Sequence, residues 1–336
     1  MVCRRPAQFT TQIIVKCCGK GTRIPDYGFC HMLAYTGVLD LAHPGPFNVT
    51  MKLAQDIRVL VRRALVEDIG HGDLTTVAIG VAGRQATAIV WGKSDGVLYG
   101  SAIFEEVLRH LDKRVAIRWR IKDGQAYVAG TKLATVEGDA AALLSGERTA
   151  LNFLARLSGV ATLTRKFVEK VAGTRAGVLD TRKTTPGWRL LEKQAVKAGG
   201  GINHRMGLDD AIMIKNNHIT ACGGIENALK KVRQRRSRRK VPIICETRSI
   251  REVRLALAYG VDWILLDHFG PARLEKAVAE VRRFEKKHRC RIALEGSGGV
   301  NLRNVRARAQ TGIDYLSVGA LTQSAPAADI SMQLLG

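Results

Sequence analysis

From Thr174 onward the chain repeats one pattern, a short and almost wholly apolar run followed by a helical stretch and then another apolar run. The strand candidates are AGVLDT, AIMIK, VPIICE, VDWILLD, CRIALEG and IDYLSVG; between them lie WRLLEKQAVKA, GIENALKKVRQ, SIREVRLALAYG, PARLEKAVAEVRRF and LRNVRARAQTG. Strands that are apolar on both faces, each followed by a helix, belong to a parallel sheet covered by helices. Six such units in this span suit an α/β barrel better than an open sheet. Periodicity alone leaves a doubly wound sheet as the alternative.

This pattern gives the charged residues a position. Arg182 and Lys183 follow VLDT, Lys215 closes AIMIK, Glu246 closes VPIIC, Asp267 closes DWILL, and Ser297, Gly298 and Gly299 follow IALEG. Each falls at the C-terminal end of its strand, the face on which α/β barrels carry their active sites. Between Val178 and Ile219 the cations Arg182, Lys183, His204, Arg205 and Lys215 make a pocket for carboxylates or phosphates. A formal charge of +23 also implies an anionic partner. With only 5% aromatic residues there is little to stack nucleobases on, so a small anion is favoured.

Glu246 and Asp267, on neighbouring strands, are the natural pair for Mg²⁺, which takes a couple of carboxylates and fills its shell with water and substrate phosphate. GSGGV ahead of LRNVRARAQ is expected to set bare backbone amides at a helix N-terminus, a phosphate site. SVGA, Ser317 to Ala320, ends the next strand and completes the phosphate position after a barrel's last two units. Two other chemistries compete. Lys183 or Lys215 could be the amine of a Schiff-base aldolase, although that reaction has no use for a Glu and Asp pair. The basic run Lys230 to Lys240 could bind nucleic acid, but no aromatic is interleaved and a solvated face is the simpler reading.

Ahead of the barrel, residues 51–163 read as a smaller α+β domain. An amphipathic helix starts near Met51, strands follow at ATAIVWGK, VAIRWRI and KLATVEG with the helix GSAIFEEVLRHL among them, and two helices flank Ser158 and Gly159. The barrel is assigned to residues 164–324, with the tail 325–336 returning to the first domain. Residues 1–50 show no period and read as a poorly ordered extension. Met51 is a plausible later start, and Cys17, Cys18, Cys30 and His31 are conceivable ligands of a metal-binding tail. The seven cysteines lack CxxC spacing and their number is odd, which fits reduced thiols in the cytoplasm. Nothing reads as a membrane span or a signal peptide.

The motifs ALVEDIGHGDLTT, ERTALNFLARLSGVAT, DTRKTTPGWRLLEKQAV, GGGINHRMGLDDAIMIKNNHI, LEGSGGV and DYLSVGALTQSAPAADISM, in that order, resemble those of quinolinate phosphoribosyltransferases over roughly residues 52 to 336. The resemblance implies an α/β fold in which an incomplete α/β barrel packs on a smaller α+β N-terminal domain, assembled as a homodimer with Arg148 reaching into the neighbouring site. It implies that Arg182, His204 and Arg205, with Thr181 beside them, grip the two carboxylates of quinolinate. By the same similarity Lys183 and Lys215 border quinolinate and phosphoribosyl pyrophosphate as catalytic residues. Glu246 and Asp267 serve Mg²⁺ and the ribose, and Ser297, Gly298, Gly299, Ser317 and Gly319 take the 5′-phosphate. The implied reaction yields nicotinate mononucleotide, pyrophosphate and carbon dioxide.

The chain departs from the family pattern at Asn216, Ile244, His268 and Gln323, where the usual residues are aspartate, glutamate, asparagine and histidine. Proteins of the molybdenum locus with the same fold are the related alternative. A cluster of cations favours a dicarboxylate, because a ligand with one charge would leave a buried cation unpaired.

Overall fold

The computed structural model describes residues 46–235 and 241–335. The metal-ligand candidates Cys17, Cys18, Cys30 and His31 lie outside the described residues, as do positions 236–240 of the basic run. No helix among the described residues is long and apolar enough to cross a membrane.

The first elements are helices α1 (Pro46–Ile69) and α2 (Leu74–Ile79), then β1 (Gln85–Gly92), β2 (Gly96–Val97), α3 (Ser101–Leu111), β3 (Ala116–Trp119), β4 (Ala126–Tyr127) and β5 (Thr131–Asp139). The helix α4 (Ala140–Val171) follows. Buried and less buried residues alternate along the second half of β5, so its apolar members face the helices. Val90, Leu133 and Val136 join Phe104, Leu108, Leu143 and Leu154 in the core there. The last strand of the chain, β12 (Ile330–Leu334), pairs antiparallel with β1, so this sheet runs β12-β1-β5-β3.

One expectation is corrected by α4. Ser158 and Gly159 do not separate two helices but lie within one helix of 32 residues. Asp139 caps it by accepting from the Ala141 and Ala142 amides. Small residues are needed in the middle for packing: the buried Ser158 hydroxyl bonds the Tyr99 backbone, and a β-carbon at Gly159 would collide with the Pro326 carbonyl oxygen. Gly159→Ala is therefore expected to cost about 1–3 kcal/mol despite the higher helix propensity of alanine. Chemical denaturation of the variant checks this, and a gain in stability would contradict the packing argument.

The second half contains β6 (Gly177–Leu179), α5 (Arg189–Ala198), β7 (Ile212–Ile214), α6 (Asn216–Ala221), α7 (Ile225–Arg235), β8 (Ile243–Thr247) and α8 (Ile250–Ala258). Then come β9 (Trp263–Asp267), α9 (Pro271–His288), β10 (Ala293–Ser297), α10 (Val305–Ala309), β11 (Tyr315–Ser317) and α11 (Ala320–Gln323). Its six strands are parallel in the order β6-β11-β10-β9-β8-β7. A doubly wound sheet reverses its winding in the middle, and this one does not. Residues following both edge strands, Lys183 after β6 and Lys215 after β7, line one cavity, so the sheet is curled into an incomplete barrel.

Part of the opening is occupied by an irregular stretch that sequence periodicity does not reveal. Ile202 bridges Leu179 in parallel, donating to the Val178 carbonyl at 2.8 Å and accepting from the Asp180 amide at 3.2 Å. A stub of a further strand thus lies beside β6 and carries Asn203, His204 and Arg205 toward the mouth. Inside the barrel the Trp263 ring packs between His204, 5.2 Å away, and Tyr315, 5.0 Å away.

Candidate active site

The C-terminal ends of the strands surround a cavity of about 540 Å³. Thr181, Arg182, Lys183, His204, Arg205, Lys215, Asp267, Ser297, Gly298, Gly299, Ser317 and Gly319 all line it. Glu246 and Arg148 do not. Glu246 sits beside the cavity, 7% exposed, where it accepts from Lys215 Nζ at 3.3 Å and from the Asn216 amide at 3.2 Å. Arg148, halfway along the first part of α4, is largely exposed, with Glu147 4.0 Å away.

Two guanidinium groups dominate one wall. Arg205 is 5% exposed and donates from Nη1 to the Ala211 carbonyl. Burial and the charge of Arg182 both pull its guanidinium below the usual range, against the opposing influence of Asp210 and Glu295. Arg182 Nε is buried without a hydrogen-bond partner. A pair of like charges with an unsatisfied donor is costly unless an anion completes it, and a planar fork matches a carboxylate.

His204 lies in the same wall, but both of its ring nitrogens are engaged. Nδ1 accepts from the Arg205 amide at 2.7 Å, so in the neutral ring the proton belongs on Nε2, which donates to Glu295 Oε2 at 3.1 Å. Glu295, 1% exposed on β10, also lines the cavity. Burial works to raise its carboxyl, but His204, Ser317 and Lys215 outweigh that and hold it below its ordinary value.

A second buried group anchors the stub from the opposite side. Asp180 and Lys193 are both fully buried; Lys193 Nζ pairs with Asp180 and donates to the His204 carbonyl at 2.9 Å. The other donors to Asp180 are Asn203 Nδ2 at 2.6 Å and the His204 amide at 2.8 Å. Burial pushes the carboxyl up and the ammonium down, while their mutual attraction works the other way.

At the far wall Asp267 closes β9, with His268 Nδ1 3.0 Å from one oxygen and Arg248 Nε 3.4 Å from the other. Arg248 also comes within 3.9 Å of Glu246, so one half-exposed guanidinium stands between the two carboxylates. His268 adopts a left-handed φ of 58°, and its ring lies where a β-carbon on Gly298 would meet it at 2.5 Å. Gly298 and Gly299 themselves have φ of +83° and +65°, conformations open to glycine. Of the four departures from the family pattern, His268 and Gln323 line the cavity, Asn216 contributes its amide to Glu246, and Ile244 is fully buried in β8.

The GSGG turn lines the cavity but does not open a helix as expected. α10 starts only at Val305 and is five residues long. Asn301 and Asn304 intervene, both donating side-chain bonds to the Gly299 carbonyl, and this local asparagine bonding competes with helix formation. Any phosphate contact here must come from the turn itself.

Sequence reasoning missed Glu295, Asp180, Lys193 and Arg248. Glu295 carried a signal, a lone acid inside the apolar run CRIALEG, where a charge needs a partner. Lys193 carried none, since a lysine in a helix is ordinarily solvated.

Fold and site together define an α/β-barrel enzyme of small polyanions. Models of the N-terminal and C-terminal domains of quinolinate phosphoribosyl transferase match residues 73–158 and 160–333, and the chain belongs to that family. It is 44% identical over 278 residues to a probable nicotinate-nucleotide pyrophosphorylase (carboxylating) of Bacillus subtilis, covering 83% of this chain and 93% of the relative. A chloroplastic nicotinate-nucleotide pyrophosphorylase (carboxylating) of Arabidopsis thaliana is 38% identical, covering 83% of each. The solved nicotinate-nucleotide pyrophosphorylase of Francisella tularensis superimposes with a TM-score of 0.76 at 36% identity, over 84% of this chain and 96% of that one.

Proposed function

We propose that the chain transfers the phosphoribosyl group of phosphoribosyl pyrophosphate to quinolinate, with decarboxylation, to give nicotinate mononucleotide for NAD biosynthesis. The observation that carries this reading is the Arg182 and Arg205 pair, with its buried unpartnered Nε, facing a cavity of small-molecule size. Two adjacent fixed cations suit two adjacent carboxylates. A monocarboxylate would leave one cation uncompensated.

With quinolinate held at this wall, its ring nitrogen attacks the anomeric carbon of the ribose as the bond to pyrophosphate breaks. The positive nitrogen of the pyridinium so formed stabilises the electron pair left on the adjacent ring carbon when carbon dioxide leaves, and that carbon then takes up a proton. No side chain has to act as nucleophile. Lys183, beside Gly319, and Lys215 supply positive charge to the phosphates, and the turn Ser297, Gly298 and Gly299, with Ser317 at the end of β11, offers the polar surface for the 5′-phosphate. Lys215 is ion-paired with Glu246, whereas the amine of a Schiff-base enzyme works uncharged, so of the two lysines weighed for the aldolase alternative Lys215 does not suit the part.

Mg²⁺ is assigned to the remaining wall, where Asp267 lines the cavity and Glu246 lies beside it. Arg248 now pairs with both carboxylates and would have to give them up to the ion; two carboxylates with water and pyrophosphate are a donor set Mg²⁺ takes. Bound there, it would neutralise charge on the departing pyrophosphate.

A homodimer belongs to this reading. Asp68, near the end of α1, accepts from Thr149, and Asp73, the cap of α2, accepts from Ser145, which brings α2 alongside the start of α4. α2 exposes Leu74, Val77 and Ile79 there, an apolar surface suited to a second copy. Arg148, next to Thr149 on this part of α4 and not among the residues lining its own chain's cavity, is assigned to the partner's site. Mixing unfolded Arg148→Ala and Arg205→Ala chains and refolding them together should restore about a quarter of wild-type activity, since half the dimers are hybrids with one intact site. No recovery would place Arg148 in its own chain's site. Free thiols at Cys222, Cys245 and Cys290 suit a reducing compartment, and we assign the cytosol.

The direct test is to incubate the purified chain with quinolinate, phosphoribosyl pyrophosphate and Mg²⁺. Nicotinate mononucleotide and released carbon dioxide are expected. Product from nicotinate but not from quinolinate would overturn the substrate assignment.

A further inference from the structure

Glu295 and His204 form a contact between a buried carboxylate and the substrate wall that the reaction above leaves without a task. A histidine can bind a carboxylate only through a free N–H. Here the accepting Nδ1 is taken by the Arg205 amide, and the Nε2 proton is directed at a carboxylate already inside the protein. Ring packing restrains it further, with Trp263 5.2 Å away. The ring therefore joins β10 to the backbone of Arg205.

We propose that Glu295 is a positioning residue for the dicarboxylate grip, acting through His204, whose ring bridges Glu295 to the Arg205 amide and does not itself bond the substrate. This rests on the functional reading above and refines it. Glu295 fixes the tautomer, the tautomer makes Nδ1 an acceptor, and that acceptor fixes the amide of the residue whose guanidinium faces Arg182. Arg205 is then bonded at two points, its amide to His204 and its Nη1 to the Ala211 carbonyl.

Two measurements test the bridge. In the full chain labelled with ¹⁵N-histidine, with His204 assigned by its loss in His204→Asn, Nδ1 should be bare and Nε2 protonated. This state should persist when quinolinate is added without phosphoribosyl pyrophosphate. Double protonation or a change of tautomer on binding would show His204 to be a direct ligand and overturn the proposal while leaving the function intact.

The second measurement is kinetic. Glu295→Leu, which removes the acceptor at similar size, should lower kcat/KM for quinolinate about 10–100-fold, the usual cost of losing a histidine's orienting partner, with KM for phosphoribosyl pyrophosphate little changed. Glu295→Gln still accepts from Nε2–H and should recover most of that loss. Equal losses in the two variants, or a loss shared by both substrates, would overturn the bridge. Should the wild-type chain neither bind nor convert quinolinate, the functional reading falls, and the proposal with it.

Discussion

Arg205→Ala is expected to lower kcat/KM for quinolinate by about 10²–10³-fold, with KM for phosphoribosyl pyrophosphate held within about threefold. The size follows from the burial of the guanidinium: removing one partner of a desolvated, hydrogen-bonded charge pair costs about 2–5 kcal/mol, more than an exposed arginine could. Direction follows from what remains. Arg182 keeps one carboxylate in place, but the second would be buried without a partner, and the ring would lose the orientation that aims its nitrogen at the ribose. Arg205→Lys should recover little, because a point charge cannot reproduce a fork that also bonds the Ala211 carbonyl. Steady-state kinetics with each substrate varied in turn decide the matter. An equal rise in both KM values would show that Arg205 does not belong to the quinolinate subsite alone.

Lys193→Met is expected to destabilise the fold by about 3–5 kcal/mol, the cost of breaking a buried ion pair from one side. The Asp180 carboxylate would remain fully buried, keeping the Asn203 and His204 donors but losing its only charged one. The His204 carbonyl would lose its Lys193 donor as well. Combining the change with Asp180→Asn should give back a substantial part of the loss, since the uncompensated charge is then gone. Urea unfolding of the two single variants and the double variant measures the coupling. Simple additivity would mean that the pair contributes nothing as a pair.

How much of this was legible in the sequence depended on how local the signal was. The six barrel strands were visible because each is a short apolar run, and the cavity residues at their ends inherited positions from that pattern. The strand stub at Ile202 was not visible, because one bridge beside β6 has no period to detect. The continuity of α4 was hidden for the opposite reason. Ser158 and Gly159 resemble a break in isolation, and only the crossing of Pro326 explains why small residues are required there. The extra helix turns expected after GSGG failed through asparagine bonding to Gly299, a competition that helical propensity of the following residues cannot reveal. Glu295 and Lys193 depend on partners remote in sequence, and nothing short of the fold brings those together.

That one helix serves both halves of the molecule has a consequence for how these sites can evolve. α4 begins at the N-cap Asp139 beside the small sheet and ends at Val171, about 48 Å along its axis at 1.5 Å per residue. Arg148 projects from its early turns, while Arg156 and Arg165 bond the Thr322 and Gly199 carbonyls of the barrel half. The helix therefore acts as a ruler and a protractor at once. One residue inserted between Arg148 and Arg156 would turn the former by about 100° relative to the latter. Surface loops in either half are free to lengthen, but the helical phase between an arginine offered outward and the barrel that anchors it is not.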